Sequence, residues 1–319
     1  MTPALETINL TRRYGKTVAL EQLSLAISSG SIYGFIGPNG AGKTTTLRLL
    51  AGLLEPSSGE IWLMGQRLSR SGSEAQRLVG YMPDFFGVYS DLRVWEYLDF
   101  FARCYGLNAA RRRSTVEQLL DLVDLTPKRD AFVQSLSRGM QQRLCLAHAL
   151  VHDPPLLFLD EPASGLDPRA RVELRELLRT LRDMNKTVIL SSHILSELAE
   201  VCDAIGIIDK GHMIISGSVP EVRSQLQSGH TLQIRVLRDA DRADEILQSL
   251  PSTSELPSIL KVRRDELNDR IFHIELGAAS EEQQSALLAY LLTQGILVSD
   301  FHTTIEDLED LFLRLTEVG

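Results

Sequence analysis

The chain has 319 residues, 44% of them hydrophobic and 24% charged, with 33 basic and 42 acidic side chains and a net charge of −9, the composition of an ordinary globular protein large enough for one large or two modest domains. All of the net charge lies in residues 231–319, with 8 basic against 17 acidic side chains, while residues 1–230 balance, so a nucleic-acid-binding tail is excluded there and nucleic acid is not an expected partner. No run reaches ~18 consecutive apolar residues, so no bilayer span is expected, and three scattered cysteines (Cys104, Cys145, Cys202) without CxxC spacing read as reduced packing thiols of a cytoplasmic protein.

The opening MTPALETINLTRRYG lacks the apolar core of a signal peptide. Short strands are predicted first, on Ile8/Leu10, Val18/Leu20 and Leu23/Leu25/Ile27, followed by an apolar strand over Ser31–Ile36. That strand feeds Gly37-Pro38-Asn39-Gly40-Ala41-Gly42-Lys43-Thr44-Thr45, a P-loop pattern in the strand–loop–helix setting that its chemistry needs. Glycines let backbone N–H groups wrap phosphates, and the helix that follows turns its positive end to the anion. Lys43 is expected to reach the β- and γ-phosphates of a bound triphosphate, and Thr44 to ligate Mg²⁺. The helix should carry Leu47, Leu50 and Ala51 on one face and close near Gly52.

Residues 91–150 read as mainly helical, on WEYLDFFARCY and VEQLLDLV, with Arg111-Arg112-Arg113 as a solvated helix face or loop. Near the end of this block stands Leu136-Ser137-Arg138-Gly139-Met140. Buried strands return at Val151–Asp160, Thr187–Ser192 and Ala204–Ile208 with helices between them, which predicts a parallel sheet. The first of these ends in Asp160 and Glu161. A carboxylate at the C-terminal edge of a sheet can hold Mg²⁺, and the next acid can orient or deprotonate an attacking water. Alone, the pair is equally a solvated turn; beside a P-loop the catalytic reading gains. His193 follows Val188–Leu190, at the next strand end.

From Ser216 to Gly229 the pattern loosens around Gly217, Pro220 and Gly229, predicting a linker at 221–230. Beyond it, Leu232/Ile234/Val236 alternate as a strand, Asp241–Leu250 suits a helix, Ile259–Val262 and Phe272/Ile274/Leu276 suit strands, Glu281–Thr293 a helix and Ile296–Phe301 a strand. That is the β-α-β-β-α-β order of a ferredoxin-like α+β unit. A last helix is expected with Ile305, Leu308, Phe312 and Leu315 on one face, entered through a capping-box-like Thr304-Ile305-Glu306-Asp307.

Taken in order, these motifs resemble those of the nucleotide-binding domain of ABC transporters over residues 1–220. Gly37–Thr45 resembles its Walker A, Leu136–Met140 its LSGGQ signature, Leu156–Glu161 its Walker B with catalytic glutamate, Ser164-Gly165-Leu166-Asp167 its D-loop, and His193 its switch histidine. Tyr14 stands where the family places an aromatic that stacks on adenine, although an aromatic in a strand-end loop is often packing alone. The resemblance implies an α/β P-loop NTPase core, with a parallel sheet, an antiparallel β subdomain and an inserted helical subdomain at about 88–150. Residues 231–319 would form a C-terminal accessory domain. It also implies ATP and Mg²⁺ as cofactors, and catalytic roles for Glu161, His193 and Lys43. Thr44 and Asp160 would hold the metal.

Two departures stand out. Where the family's Q-loop glutamine follows a strand, Gly80-Tyr81-Met82-Pro83 is followed by Asp84. Aspartate can accept from a Mg²⁺-bound water but cannot donate, so either Asp84 joins the metal site or coupling to a partner differs, with the first favoured. The signature has Arg138 and Met140 where Gly and Gln are commonest, while Ser137 and Gly139, the positions that approach the γ-phosphate, remain.

The resemblance further implies a head-to-tail dimer with a second copy or a related subunit. Each ATP would lie between the P-loop of one chain and Ser137/Gly139 of the other, with Asp167 at the dimer D-loop. A separately encoded transmembrane permease would hold the protein, peripherally, at the inner face of the plasma membrane. The LSRGM signature, ASGLDP and the closing TIEDLEDLFLRLT resemble bacterial exporter ATPases for drugs, ions or polysaccharides. The alternative is a soluble ABC ATPase with a regulatory, non-transport role.

Overall fold

The computed structural model describes residues 3–68, 74–84, 87, 91–226, 230–250, 256–265, 268–277 and 279–304. In chain order, β1 (Leu5–Tyr14), β2 (Thr17–Ile27) and β3 (Ile32–Ile36) lead through the glycine loop into α1 (Lys43–Leu50). Then come β4 (Ser58–Leu63), β5 (Gln66–Arg67) and β6 (Val79–Met82), and the helical block of α2 (Val94–Cys104), α3 (Ala109–Leu122) and α4 (Arg138–Ala149). The chain returns through β7 (Leu156–Leu159), α5 (Pro168–Asp183), β8 (Thr187–Ser192), α6 (Leu195–Ala199), β9 (Ala204–Asp209), β10 (His212–Ser218) and α7 (Val219–Leu226). Last are β11 (His230–Val236), α8 (Ala240–Gln248), β12 (Ile259–Arg264), β13 (Ile271–Leu276), α9 (Glu281–Thr293) and β14 (Val298–Thr304). The chain divides into two compact units, Met1–Val219 and Pro220–Gly319.

The first unit holds two sheets. A six-stranded sheet runs β10-β9-β3-β8-β7-β6, parallel from β9 to β6 and closed by the antiparallel edge strand β10. Its central strands β3, β7 and β8 are buried at every position, which is why they read as continuous apolar runs rather than as alternation. A four-stranded antiparallel sheet runs β2-β1-β4-β5. The parallel register sends the C-terminal ends of β3, β6, β7 and β8 to one edge, and every expected catalytic residue from Gly37 to His193 follows one of those four ends, the general place for a ligand in such a sheet.

Three expected elements differ. The strands read separately at Val18/Leu20 and Leu23–Ile27 are one strand, β2, interrupted in register where Gln22 takes φ 48° and its N–H donates to Thr11 Oγ1 at 3.0 Å. The strand expected over Val151–Asp160 is only Leu156–Leu159, because Pro154 and Pro155 cannot donate to a ladder. The linker expected at 221–230 contains the rest of α7 as far as Leu226, with Val222 buried; residues 227–229 lie outside the described residues.

In the second unit the strand order is β12-β13-β11-β14, antiparallel throughout, with α8 and α9 between strands in the expected β-α-β-β-α-β sequence. Alternation puts Leu232, Ile234, Val236, Phe272, Ile274 and Leu276 in a core with Ala243, Leu247, Leu287 and Leu291 from the helices. α9 starts from a capping box, in which Ser280 accepts from Gln283 N and its own N–H donates to the Gln283 side chain. The expected closing helix, with Ile305, Leu308, Phe312 and Leu315, lies outside the described residues.

Candidate functional site

At Gly37 and Gly42 the glycine loop is packed too closely for a side chain. Gly42 takes φ 109°, and a Cβ there would stand 2.5 Å from the Ala19 carbonyl oxygen of β2; Gly40 takes φ 84° and faces open space. Gly42 is also the N-cap of α1 and makes no side-chain cap, so the first N–H groups of the helix remain available to an anion. The loop is pinned from beneath by Gly211 N donating to Ala41 O at 2.9 Å and by Thr46, whose N–H and hydroxyl both donate to Gly42 O.

Lys43 is 6% exposed and folded back over the loop, donating from Nζ to Gly37 O at 2.7 Å and Pro38 O at 3.3 Å while pairing with Glu161 Oε1 at 3.3 Å. Glu161 Oε2 lies 3.0 Å from His193 Nδ1. Thr44 Oγ1 donates to Asp160 Oδ1 at 3.1 Å. Lys43, Thr44, Asp160, Glu161 and His193 are therefore one connected network, assembled from the ends of β3, β7 and β8.

Ser191, which the motif reading passed over, sits at the middle of that network. Fully buried, it donates to Asp160 Oδ1 at 2.7 Å and accepts from Glu161 N at 2.9 Å. Glu161 takes φ 48°, a left-handed conformation costly for a residue with a side chain. The Ser191 hydroxyl holds that turn and orients the Asp160 carboxylate at once. The signal was present: two hydroxyl residues end an otherwise apolar strand directly before His193.

Asp84 follows β6. Its carboxyl is pushed above the ordinary carboxylate range first by burial and then by the charges of Asp160 and Glu161, while Arg138 and His193 act in the opposite direction. Three carboxylates sharing one edge of the sheet call for a cation. Among the described residues no three His, Cys, Asp or Glu side chains form a metal cage. The Thr44 hydroxyl against the Asp160 carboxylate is a suitable pair of hard oxygen donors.

Ser137 is the exposed N-cap of α4, its hydroxyl accepting from Met140 N at 3.3 Å. Asp167 caps α5, accepting from Ala170 N at 2.8 Å ahead of Pro168 at the first helical position. Between them, Gln142 Nε2 donates to Ser164 O at 3.1 Å. Tyr14 ends β1, 45% exposed, with the Arg12 guanidinium 4.5 Å above its ring. Its hairpin partner strand carries Ala19, which touches the glycine loop. One face of the ring is therefore covered by Arg12 while the rest of the side chain is partly exposed.

Residues 20–164 match the ABC transporter family model. The chain is 40% identical over 222 residues to the Nod factor export ATP-binding protein I of Cupriavidus metallidurans, covering 70% of this chain and 73% of that protein. The chain belongs to the ABC transporter ATP-binding family. A second relative, the linearmycin resistance ATP-binding protein of Bacillus subtilis, is 31% identical over 313 residues and matches 98% of both chains, so this ABC ATPase shares its C-terminal unit as well as its nucleotide-binding unit with that protein. Among solved structures, an ATP-binding subunit of an ABC transporter superposes with a TM-score of 0.63 at 32% identity, covering 70% of this chain and 92% of that one. ATP binding and hydrolysis are the family's chemistry. No helix among the described residues of this ABC ATPase is long and apolar enough to cross a membrane.

Proposed function

We propose that this chain powers an exporter, and that hydrolysis is carried out by the Lys43–Glu161–His193 network at the ends of β3, β7 and β8. The observation that supports this most directly is the position of Glu161, held from its backbone by Ser191 and from its two carboxylate oxygens by Lys43 and His193. A carboxylate held at both oxygens on a pinned main chain can take a proton from, or orient, a water in line with the γ-phosphate.

ATP entry exchanges partners in this network. Triphosphate oxygens replace the Gly37 and Pro38 carbonyls and the Glu161 carboxylate as acceptors for Lys43, which frees Glu161 Oε1 for the water. His193 keeps hold of Oε2, so the carboxylate retains its aim after the lysine leaves. Tyr14 offers its exposed ring to adenine. Thr44, Asp160 and Asp84 are the residues that would hold Mg²⁺, which when bound neutralises charge between the β- and γ-phosphates. Asp84 would act there as an acceptor-only carboxylate in place of a glutamine amide.

Ser137 is exposed at the start of α4 and Gly139 follows it half-buried against Leu166 and Ala170, and we assign both to the ATP held by a second subunit in a head-to-tail dimer. A separately encoded permease supplies the membrane-spanning part and positions the dimer at the inner face of the plasma membrane. Export is favoured because the relatives at 40% and 31% identity are named for Nod factor export and linearmycin resistance. The test is Glu161→Gln. ATP turnover should fall by about 10²–10⁴-fold, the range for loss of a general base, while ATP affinity is kept and the protein elutes as an ATP-dependent dimer. Unchanged turnover would remove Glu161 from the mechanism.

A further inference from the structure

We propose that Arg138 is a positioning residue that clamps the start of α4 onto the D-loop and so keeps Glu161 in its hydrolytic orientation. The inference rests on Glu161-dependent ATP hydrolysis as the activity. It begins from a glycine. Gly165 takes φ 67°, and a methyl group added to it would run into the central carbon and both terminal nitrogens of the Arg138 guanidinium. The flat guanidinium therefore lies directly over the Gly165 main chain.

One turn further along α4, Gln142 donates from Nε2 to the carbonyl of Ser164 at 3.1 Å. Residues 138 and 142 stand four apart and share one helix face, so two side chains of a single face grip two adjacent D-loop residues. The D-loop is joined to Glu161 by tight turns. Ser164 N donates to Glu161 O at 3.0 Å, and Leu166 N donates to Ala163 O at 3.2 Å. A shift of Ser164–Gly165 is thus passed to the Glu161 peptide, which is already in a left-handed conformation.

Helix stability does not account for the arginine. A cation in the first turn opposes the helix dipole, and most members that the signature resembles have glycine there. What Arg138 covers does account for it. Its positive charge also offsets the repulsion that Asp160 and Glu161 exert on Asp84, so the two departures from the family pattern, at 84 and 138, lie in one electrostatic neighbourhood.

The experiment is a double-mutant cycle on the purified full chain, with Arg138→Gly, Gly165→Ala and the pair, read as kcat and KM for ATP. Arg138→Gly should lower kcat about tenfold with KM within about twofold, because the clamp acts on Glu161 and not on the phosphate cradle. Gly165→Ala should cost more, since it adds backbone strain to displacement of the guanidinium. That strain is common to both backgrounds and cancels in the cycle, so the double variant should be no slower than Gly165→Ala alone. Gln142→Ala provides the same readout should Arg138→Gly fold poorly, with a smaller kcat loss that shrinks in the Gly165→Ala background, where the guanidinium is already displaced. Additive losses, or an Arg138→Gly enzyme with wild-type kcat, would overturn the proposal. If the wild-type chain shows no Glu161-dependent turnover in the same assay, the hydrolytic reading falls with it; if turnover depends on Glu161 and the cycle is additive, only the clamp falls.

Discussion

Replacing Ser191 by alanine removes one hydroxyl that makes two contacts. The hydroxyl donates to Asp160 Oδ1 at 2.7 Å, accepts from Glu161 N at 2.9 Å, and belongs to a side chain with no exposed surface. A hydrogen bond to a charged acceptor contributes ~1.5–3 kcal/mol, and a buried amide left without an acceptor costs ~1–3 kcal/mol. The two effects overlap in one small region, so the expected loss of unfolding free energy is about 3 kcal/mol. Catalysis should suffer for a separate reason. Glu161 is held at φ 48°, a conformation that costs on the order of 1–3 kcal/mol and persists only where its surroundings enforce it. Without Ser191 the turn relaxes and the carboxylate leaves its place beside His193. At ~1.4 kcal/mol per tenfold, a kcat reduced by roughly 10- to 100-fold follows. Ser191 reaches the P-loop only through the Asp160 carboxylate that it shares with Thr44, so KM for ATP should move less than kcat does. Urea unfolding and steady-state ATPase measurements read the two effects separately. Ser192→Ala is the control, because the Ser192 hydroxyl only accepts from Ile194 N at 3.0 Å and its loss should cost about 1 kcal/mol. A Ser191→Ala protein with wild-type urea midpoint and wild-type kcat would refute the reasoning.

Three further outcomes follow from the structure. Gly42→Ala meets both the 109° φ and the Ala19 carbonyl 2.5 Å away, so ATP affinity measured calorimetrically should fall at least about 30-fold with the far-ultraviolet circular dichroism unchanged. Burial against Phe101 and Tyr97 holds His148 mostly neutral, with its pKa pulled down to about 4 from an ordinary 6.5. The unfolded chain therefore binds the extra proton first as pH falls, and stability present above pH 6.5 declines towards pH 4 by as much as about 3 kcal/mol. His148→Gln should flatten that part of a stability–pH curve, and an identical curve would remove His148 as its cause. Phe272→Ala empties the middle of the second unit's core, where Phe272 has no exposed surface. Amide exchange in β11 and β13 should accelerate as expected for a loss of ~3–5 kcal/mol.

Much of the nucleotide site was legible because its chemistry demands particular residues at particular spacings. The glycines at 37, 40 and 42, Lys43, the acid pair at 160 and 161, and His193 each follow a strand end, and an apolar run marks a buried parallel strand plainly. Ser191 was not legible in the same way, since a serine at a strand end has many uses, and only the three-dimensional register of β7 against β8 brings it between Asp160 and Glu161. β4, β5 and β10 escaped because they are short or carry polar residues at a sheet edge, as Ser58-Gly59-Glu60 and Ser216-Gly217-Ser218 do. The end of α7 reads as a linker because Pro220 looks like punctuation, although proline is well tolerated in the first turn of a helix. In the second unit alternation alone marked the strands at 232–236 and 272–276, since one face is buried and the other is not.

The most direct test of the account is complementation between two inactive chains. Lys43→Ala disables a chain's own P-loop, and Ser137→Arg blocks the surface it offers to a partner; each alone should show almost no ATP turnover. Mixed in equal amounts, half of the dimers contain one chain of each kind, and each such dimer keeps one site with an intact Lys43 on one chain and an intact Ser137 on the other. Recovery of roughly a quarter of the wild-type rate is predicted for independent sites in a two-fold symmetric dimer. A mixture no more active than its components would contradict a site completed by the second subunit.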